Sequence, residues 1–453
     1  MREICVEKGQ SASLKRSLKL WQVIVLGLGY LTPLTVFDTY GIVTQETSGH
    51  VPSAYLLALA AMLFTASSYG KMVKVFPVAG SAYSYTRQTI NPHLGFLVGW
   101  VSLLDYVFLP IVNVLLGKIY MSAAFPDVPD WMLGVVLAAV VTAVNLWKID
   151  GTANFNTLLV AFQVFVVTFF TVLAISYITE GGGSGDVANI APFYSANLTF
   201  PSLMAGAAIL CFSFLGFDAV TTYTEETIDP MKNIPRGIFL VALIGGVIFI
   251  VASYFTQLAF PDITQFENPD SPSPEMSMAL GGPLFHSLFV AGSITAAAAS
   301  GIASHASVSR LLYAMGRENV LPKRLFGYLN PRSGIPVVNV VLVGILSLSA
   351  LFLDLETALA FINFGALTAF TAVNVCVIFH YFIKEKMRAP KDVFRYLISP
   401  LVGAGFVAYL WWNLDSHSLT VGMIWSLLGI GYLLYTTKGF SKKPPEINFE
   451  DAI

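Results

Sequence analysis

Gly27-Leu28-Gly29-Tyr30-Leu31-Thr32-Pro33-Leu34-Thr35-Val36-Phe37-Asp38 lies inside an apolar stretch long enough to cross a bilayer. Two glycines, a proline and a carboxylate do not sustain a continuous helix. In a helix interior Gly costs about 1 kcal/mol and Pro about 3 kcal/mol relative to Ala. A second stretch repeats the device. Cys211-Phe212-Ser213-Phe214-Leu215-Gly216-Phe217-Asp218 again places a glycine, a hydroxyl and an aspartate in an apolar run. Gly27, Gly29, Pro33 and Gly216 are the expected helix breaks. Unwound backbone at membrane depth survives only where it lines a cavity or is buried in protein.

Outward from these stretches, the chain divides into twelve apolar segments: 20–44, 54–76, 93–123, 131–147, 153–178, 200–223, 236–260, 283–315, 336–353, 357–382, 396–413 and 418–436. The broken stretches fall in spans one and six. They are five apart, and five is odd, so the two halves of the chain have opposite topology. Interrupted helices in corresponding places of two halves point to an inverted-repeat transporter with a site near the bilayer midplane. The expected fold is therefore an all-α polytopic membrane protein with discontinuous helices 1 and 6. Residues 1–19 form an N-terminal segment, 20–178 the first repeat, 179–199 an outer loop opened by Gly181-Gly182-Gly183, and 200–382 the second repeat. Spans eleven and twelve occupy 383–437, and 438–453 form a polar tail.

Composition agrees. Hydrophobic residues make up 55% and charged residues 11%, against about 25% charged in soluble domains. The polar, basic start lacks the short apolar core of a signal peptide, so the first span is expected to be retained. Cys5, Cys211 and Cys376 do not suggest a disulfide framework. No metal-ligand spacing, cofactor motif, nucleic-acid motif or nucleophile–base pair is legible, and no motif specifies an oligomeric state.

Charge is one-sided. If the N-terminus is cytoplasmic, every one of the 25 Lys and Arg except Lys118 falls on the cytoplasmic side, as the positive-inside bias requires. The outer loops carry only acids, among them Asp262, Glu267, Asp270 and Glu275. Such a face gathers cations and repels anions.

Further motifs are specific. Phe76-Pro77-Val78-Ala79-Gly80-Ser81-Ala82-Tyr83-Ser84-Tyr85 precedes Gly95-Phe96-Leu97-Val98-Gly99-Trp100. Glu225-Glu226-Thr227-Ile228-Asp229-Pro230 leads to Ile234-Pro235-Arg236 after span six, and Ser309-Arg310-Leu311-Leu312-Tyr313-Ala314-Met315-Gly316-Arg317 follows span eight. In this order, over nearly the whole chain, they resemble the amino acid–polyamine–organocation (APC) superfamily. Gly29-Tyr30-Leu31-Thr32-Pro33, Val36-Phe37-Asp38-Thr39, Leu103-Leu104-Asp105-Tyr106, the 211–218 stretch and Ala303-Ser304-His305-Ala306 resemble its bacterial putrescine importers more closely. The resemblance implies the five-plus-five inverted repeat of the sodium-coupled leucine transporter with two added helices. It also implies proton-driven import of putrescine across a bacterial inner membrane, with both termini cytoplasmic. One departure matters. Many members have a Gly-Ser-Gly break whose amides seat an amino acid carboxylate. Here Pro33-Leu34-Thr35 aligns, and Pro33 has no N–H to donate.

Three acids lie in spans: Asp38, Asp105 and Asp218. Each costs about 2.5–3.5 kcal/mol at mid-membrane on insertion scales, so each requires a compensating partner. A diamine presents two ammonium groups on an apolar tether. It calls for two separated acceptors with an apolar, aromatic passage between, where cation–π attraction adds about 0.5–2 kcal/mol. Tyr30, Thr32, Tyr106, Phe212, Ser213, Phe214, Gly216 and Phe217 stand beside the breaks or acids and complete the expected substrate site. The acid at Asp218 aligns with a functional acid in related exchangers, and Asp218 also suits an N-cap of the restarting half-helix. Asp38 alternatively bonds Thr35 or Thr39. Asp105 alternatively ties to a neighbouring helix near Asn113. Lys118, thirteen residues beyond Asp105, is rotated about 220° from it and about 20 Å along the axis, so snorkelling to the outer interface suits it better.

Proton coupling needs a second protonatable group beside the one the diamine displaces. Asp218, Asp105 and Glu225 are the candidates, whereas His305 suits packing and Glu225 with Glu226 also suits a cytoplasmic gate. Span five holds Asn156 and Gln163 but no Lys, so the lysine-based coupling of one superfamily branch does not transfer. The competing reading is an amino acid transporter or a polyamine/amino acid exchanger of the same fold.

Overall fold

The computed structural model describes residues 18–77, 81–146, 152–317, 321–330, 335–414, 416–442 and 444. Its main helices are α1 Leu20–Leu31, α2 Val51–Val75, α3 Pro92–Ala124, α4 Asp130–Leu146, α5 Thr152–Thr179, α6 Phe200–Leu210, α7 Pro230–Ala259, α8 Ser273–Arg317, α9 Val337–Ser347, α10 Leu355–Val377, α11 Ser399–Trp412 and α12 Ser416–Thr437. There is no strand among the described residues, only an isolated bridge from Leu18 to Thr227. Among the described residues ten helices, counting the 3₁₀ continuations of α1 and α6, are long and apolar enough to cross a membrane. Two further apolar helices are shorter: α4 has 17 residues, and α9 has 11 before a 4-residue 3₁₀ turn.

Both spans expected to break do so. α1 stops at Thr32, where the backbone takes φ 54° and ψ 107°, and a 3₁₀ turn Pro33–Phe37 follows before the short helix Tyr40–Glu46. α6 runs into the 3₁₀ turn Cys211–Phe214, then Gly216 at φ 113°, then a 3₁₀ helix Ala219–Glu226. The position of the first break differs from expectation. Gly27 and Gly29 stay inside α1. Gly27 is a close-approach glycine: a Cβ there would lie 2.6 Å from Val241 Cγ2 and 2.8 Å from Val220 Cγ2. The break falls on Thr32 because the residue before a proline is forced out of the α region.

Two loops also carry helix. The connection expected between spans two and three contains Ser81–Thr89. The outer loop expected to run to 282 turns helical at Ser273, and Gly282, at φ 65° just before Pro283, kinks α8. A glycine in that conformation lets two helical pieces abut with a bend that the apolar pattern alone does not mark.

The packing has a regular theme. α1 packs on the Ala219–Glu226 continuation of α6, α2 on α7, α3 on α8, and α4 on α9. Each pairs with the helix five places later. α3 also packs along α10, and α11 and α12 lie outside this set against α2, α3 and α10. Trp100 and Trp425 bind α12 to α3 reciprocally: each indole N–H donates to the other's main-chain carbonyl, at 3.0 and 2.9 Å, with the rings stacked 4.9 Å apart.

Candidate functional site

The two breaks touch. A Cβ on Gly216 would lie 2.6 Å from Tyr30 Cδ1 and 3.0 Å from the Leu31 nitrogen, so the backbone of one broken span rests on the other. Released backbone groups are taken up locally. The Thr35 hydroxyl donates to the Leu31 carbonyl at 3.0 Å and also meets the Thr32 hydroxyl. The Thr35 N–H bonds the Thr32 carbonyl at 3.0 Å. With Pro33 lacking an N–H, the first break offers little of the amide nest that would receive a carboxylate.

Beside the breaks lies a narrow cavity of about 20 Å³, bordered by Tyr30, Thr32, Thr35 and Asp38 of the first span, Phe212 of the sixth, and stripes of α3 and α8. That is room for one or two waters. Asp38 is buried, at 8% exposure, and accepts a 2.5 Å hydrogen bond from Tyr120 Oη. Its partner is thus on α3 rather than Thr35 or Thr39. Asn113 donates to the Leu109 carbonyl at 2.9 Å and to Ser300 Oγ at 3.1 Å, joining α3 to α8. Because an unbonded carboxylate at this depth is costly, Tyr120→Phe is expected to lower the thermal midpoint of the detergent-solubilised protein and weaken ligand binding several-fold. An unchanged melting curve and affinity would show that Asp38 finds another partner.

Asp105 and Asp218 form a second group. They lie near enough to interact electrostatically, and Tyr30 and Tyr106 stand in their joint field. Asp105 packs against α10, where a Cβ on Gly365 would be 2.8 Å from the Asp105 nitrogen. Asp218 does not cap the restarting helix. Its own backbone is helical (φ −77°, ψ −31°), whereas a capping residue is extended. Its carboxylate turns back instead to the Gly216 N–H at 3.4 Å. Two neighbouring carboxylates are stabilised by a shared cation or proton. Tyr30 thus lines the cavity with Asp38 and lies within electrostatic reach of Asp105 and Asp218.

The remaining expected residues divide. Phe212 borders the cavity, but Phe214 and Phe217 are fully buried in the aromatic core, Phe214 against Tyr55 and Phe249, Phe217 against Tyr69 and Phe370. Ser213 Oγ pairs with Tyr55 Oη at 3.1 Å. Tyr106 packs among Val308, Leu312 and Val343. Glu225 belongs to the 3₁₀ helix Ala219–Glu226, but its side chain lies outside the described residues, as does that of Glu226. His305 Nε2 bonds the Val340 carbonyl at 2.9 Å, and Lys118 Nζ donates to the Ala350 carbonyl at 3.3 Å.

Sequence reasoning missed Tyr120, Ser293 and Ser300. The signal was present as helical spacing: Leu109, Asn113, Leu116 and Tyr120 recur at 4, 3 and 4 residues on α3, and Ser293, Ala296, Ala297 and Ser300 stand at i, i+3, i+4 and i+7 on α8.

The sequence pattern of the family described as "Amino acid permease" matches residues 22–432. The chain belongs to the amino acid permease family. This permease is 47% identical over 440 residues to the low-affinity putrescine importer PlaP of Escherichia coli (strain K12), with 97% of each chain covered. It is 28% identical over 468 residues to the methylthioribose transporter of Bacillus subtilis (strain 168), covering 95% of each. It is 26% identical over 457 residues, 94% of each, to the branched-chain amino acid permease BcaP of the same organism. Membership in the APC superfamily and a multi-pass membrane location follow for this permease. The relatives' names cover different cargoes, so family membership by itself does not fix the cargo.

Proposed function

We propose that this permease imports putrescine or a close diamine into the bacterial cytoplasm, coupled to protons, by alternating access within a twelve-span, five-plus-five inverted repeat. The observation that supports the reading is that Tyr30 lines the cavity with Asp38 and lies within electrostatic reach of a second carboxylate group, Asp105 and Asp218. Asp38 with Tyr120 receives one ammonium, Asp105 with Asp218 the other, and the Tyr30 and Phe212 rings flank the tether. The 47% identity to a putrescine importer over 97% of the chain supports the cargo, and the packing of each helix on the one five places later supports the repeat. The filled, proline-capped first break speaks against a carboxylate on the substrate, and so against the amino acid reading.

Coupling has a stoichiometric requirement. One aspartate that holds either a proton or an ammonium gives exchange, whereas symport needs a second acid. Asp105 beside Asp218 supplies one, and Glu225 remains a candidate on sequence. An inward-negative potential adds about 2.3 kcal/mol per charge per 100 mV, which favours entry of a dication.

Calorimetric titration of the solubilised protein tests the two-acceptor reading. Putrescine is expected to bind at least about tenfold more tightly than N-acetylputrescine, since a charge-assisted contact contributes roughly 1.5–3 kcal/mol. Equal affinities would leave only one ammonium recognised and overturn the arrangement.

A further inference from the structure

A second, wider cavity lies away from the broken spans. It holds about 1010 Å³ between the end of α2, the start of α7 and the Lys391–Ser399 stretch that leads into α11. Its wall carries Lys71, Lys74, Lys232, Arg236, Lys391 and Arg395 against one carboxylate, Asp392. All six belong to connections, or helix ends beside them, that the charge bias assigns to the cytoplasmic side.

Lys71 makes this more than a solvated basic face. It is 6% exposed, and its Nζ donates to the Arg395 main-chain carbonyl at 2.9 Å. Tyr381 Oη in turn bonds the Lys71 carbonyl at 3.1 Å. The ammonium is thus fixed in the wall by backbone, and no carboxylate pairs with it among the described residues. The other five cations are exposed toward solvent or the cavity. Guanidinium forks and ammonium points of this kind match phosphate oxygens.

Charge alone would suit any phosphate. The cavity also exposes Met231, Phe239 and Phe394, at 52%, 38% and 65%. Phosphate donors beside exposed apolar side chains, on a protein that lies in a bilayer, describe an amphiphile. We propose that this cavity seats the phosphate headgroup of an anionic membrane phospholipid, with its acyl chains against Phe239 and Phe394. Basic pockets between membrane helices on the cytoplasmic side bind such headgroups. The site is independent of the diamine reading and shares no residue with it.

Native mass spectrometry of the full-length protein in neutral detergent tests this with phosphatidylglycerol and phosphatidylcholine of identical chains. The wild type is expected to retain phosphatidylglycerol preferentially. Arg236→Gln/Lys391→Gln is expected to lose that preference by about tenfold or more, whereas Lys323→Gln/Arg324→Gln, an equal loss of charge on a different exposed helix, keeps it. Preference for neither lipid, or retention by the cavity variant equal to the wild type, overturns the proposal. Displacement of the lipid by inorganic phosphate at millimolar levels identifies a soluble-anion site and equally overturns it. Loss in both variants reports general surface charge and does the same.

Discussion

Asp218→Asn is expected to abolish the proposed diamine uptake while the protein still folds and inserts. Asp218 stands at the break of the sixth span, within electrostatic reach of Asp105 and Tyr30. The substitution keeps the shape and the acceptor facing Gly216 but removes the charge. Truncating one partner of a desolvated charge pair costs about 2–5 kcal/mol, which is roughly 30-fold or more in affinity. Because Asp218 makes no helix-capping hydrogen bond, the fold loses little. The measurement is uptake per inserted protein, with size-exclusion profiles for integrity. Asp262→Asn serves as the control, since that carboxylate is exposed in the loop after α7 and held by Thr264 at 2.9 and 2.7 Å. Full transport by Asp218→Asn would remove this residue from the substrate site.

Gly216→Ala has the second large effect, and its origin is steric. At φ 113° an alanine pays backbone strain of order 1–3 kcal/mol, and its methyl would sit 2.6 Å from Tyr30 Cδ1 and 3.0 Å from the Leu31 nitrogen. The first atom is part of a rigid ring and the second is backbone, so neither yields easily. The two broken spans must separate, which disorders the site and lowers the melting temperature together. Gly185→Ala separates the two causes. It also has a positive φ, 67°, but nothing lies within 4 Å of its would-be Cβ. Only the strain should appear there, with transport retained. Equal behaviour of the two variants would mean that contact between the breaks does not matter.

Much of this architecture is legible in residue types. Apolar runs of membrane length give the spans, and a Gly or Pro with a nearby Asp gives the two discontinuities, because these are the residues a continuous lipid-facing helix tolerates least. What is not legible is how local conformation and distant packing share the work. Gly27 reads as a breaker in isolation, yet Val220 and Val241 from another part of the chain make it a contact point inside an intact helix. Thr32 reads as an ordinary hydroxyl, yet its backbone takes a positive φ of 54° at the break, directly before Pro33, where the α region is disfavoured. Phe214 and Phe217 read as ring walls for a cation beside Phe212, but short-range turn geometry sends them into the core with Tyr55 and Tyr69. Tyr120 escapes notice for the opposite reason: the acid it serves, Asp38, is 82 positions away. Its place on the cavity-facing stripe of α3 is the one trace of that role in sequence.

The most direct test of the central claim is labelled putrescine uptake into liposomes holding the purified protein, with and without an inward proton gradient, challenged by unlabelled putrescine, spermidine, arginine and leucine. Gradient-dependent uptake, blocked by putrescine and untouched by leucine, is the predicted result. Uptake that requires a lumen preloaded with amine or amino acid, or that leucine or arginine suppresses better than putrescine, would contradict proton-coupled diamine import through the paired carboxylate groups.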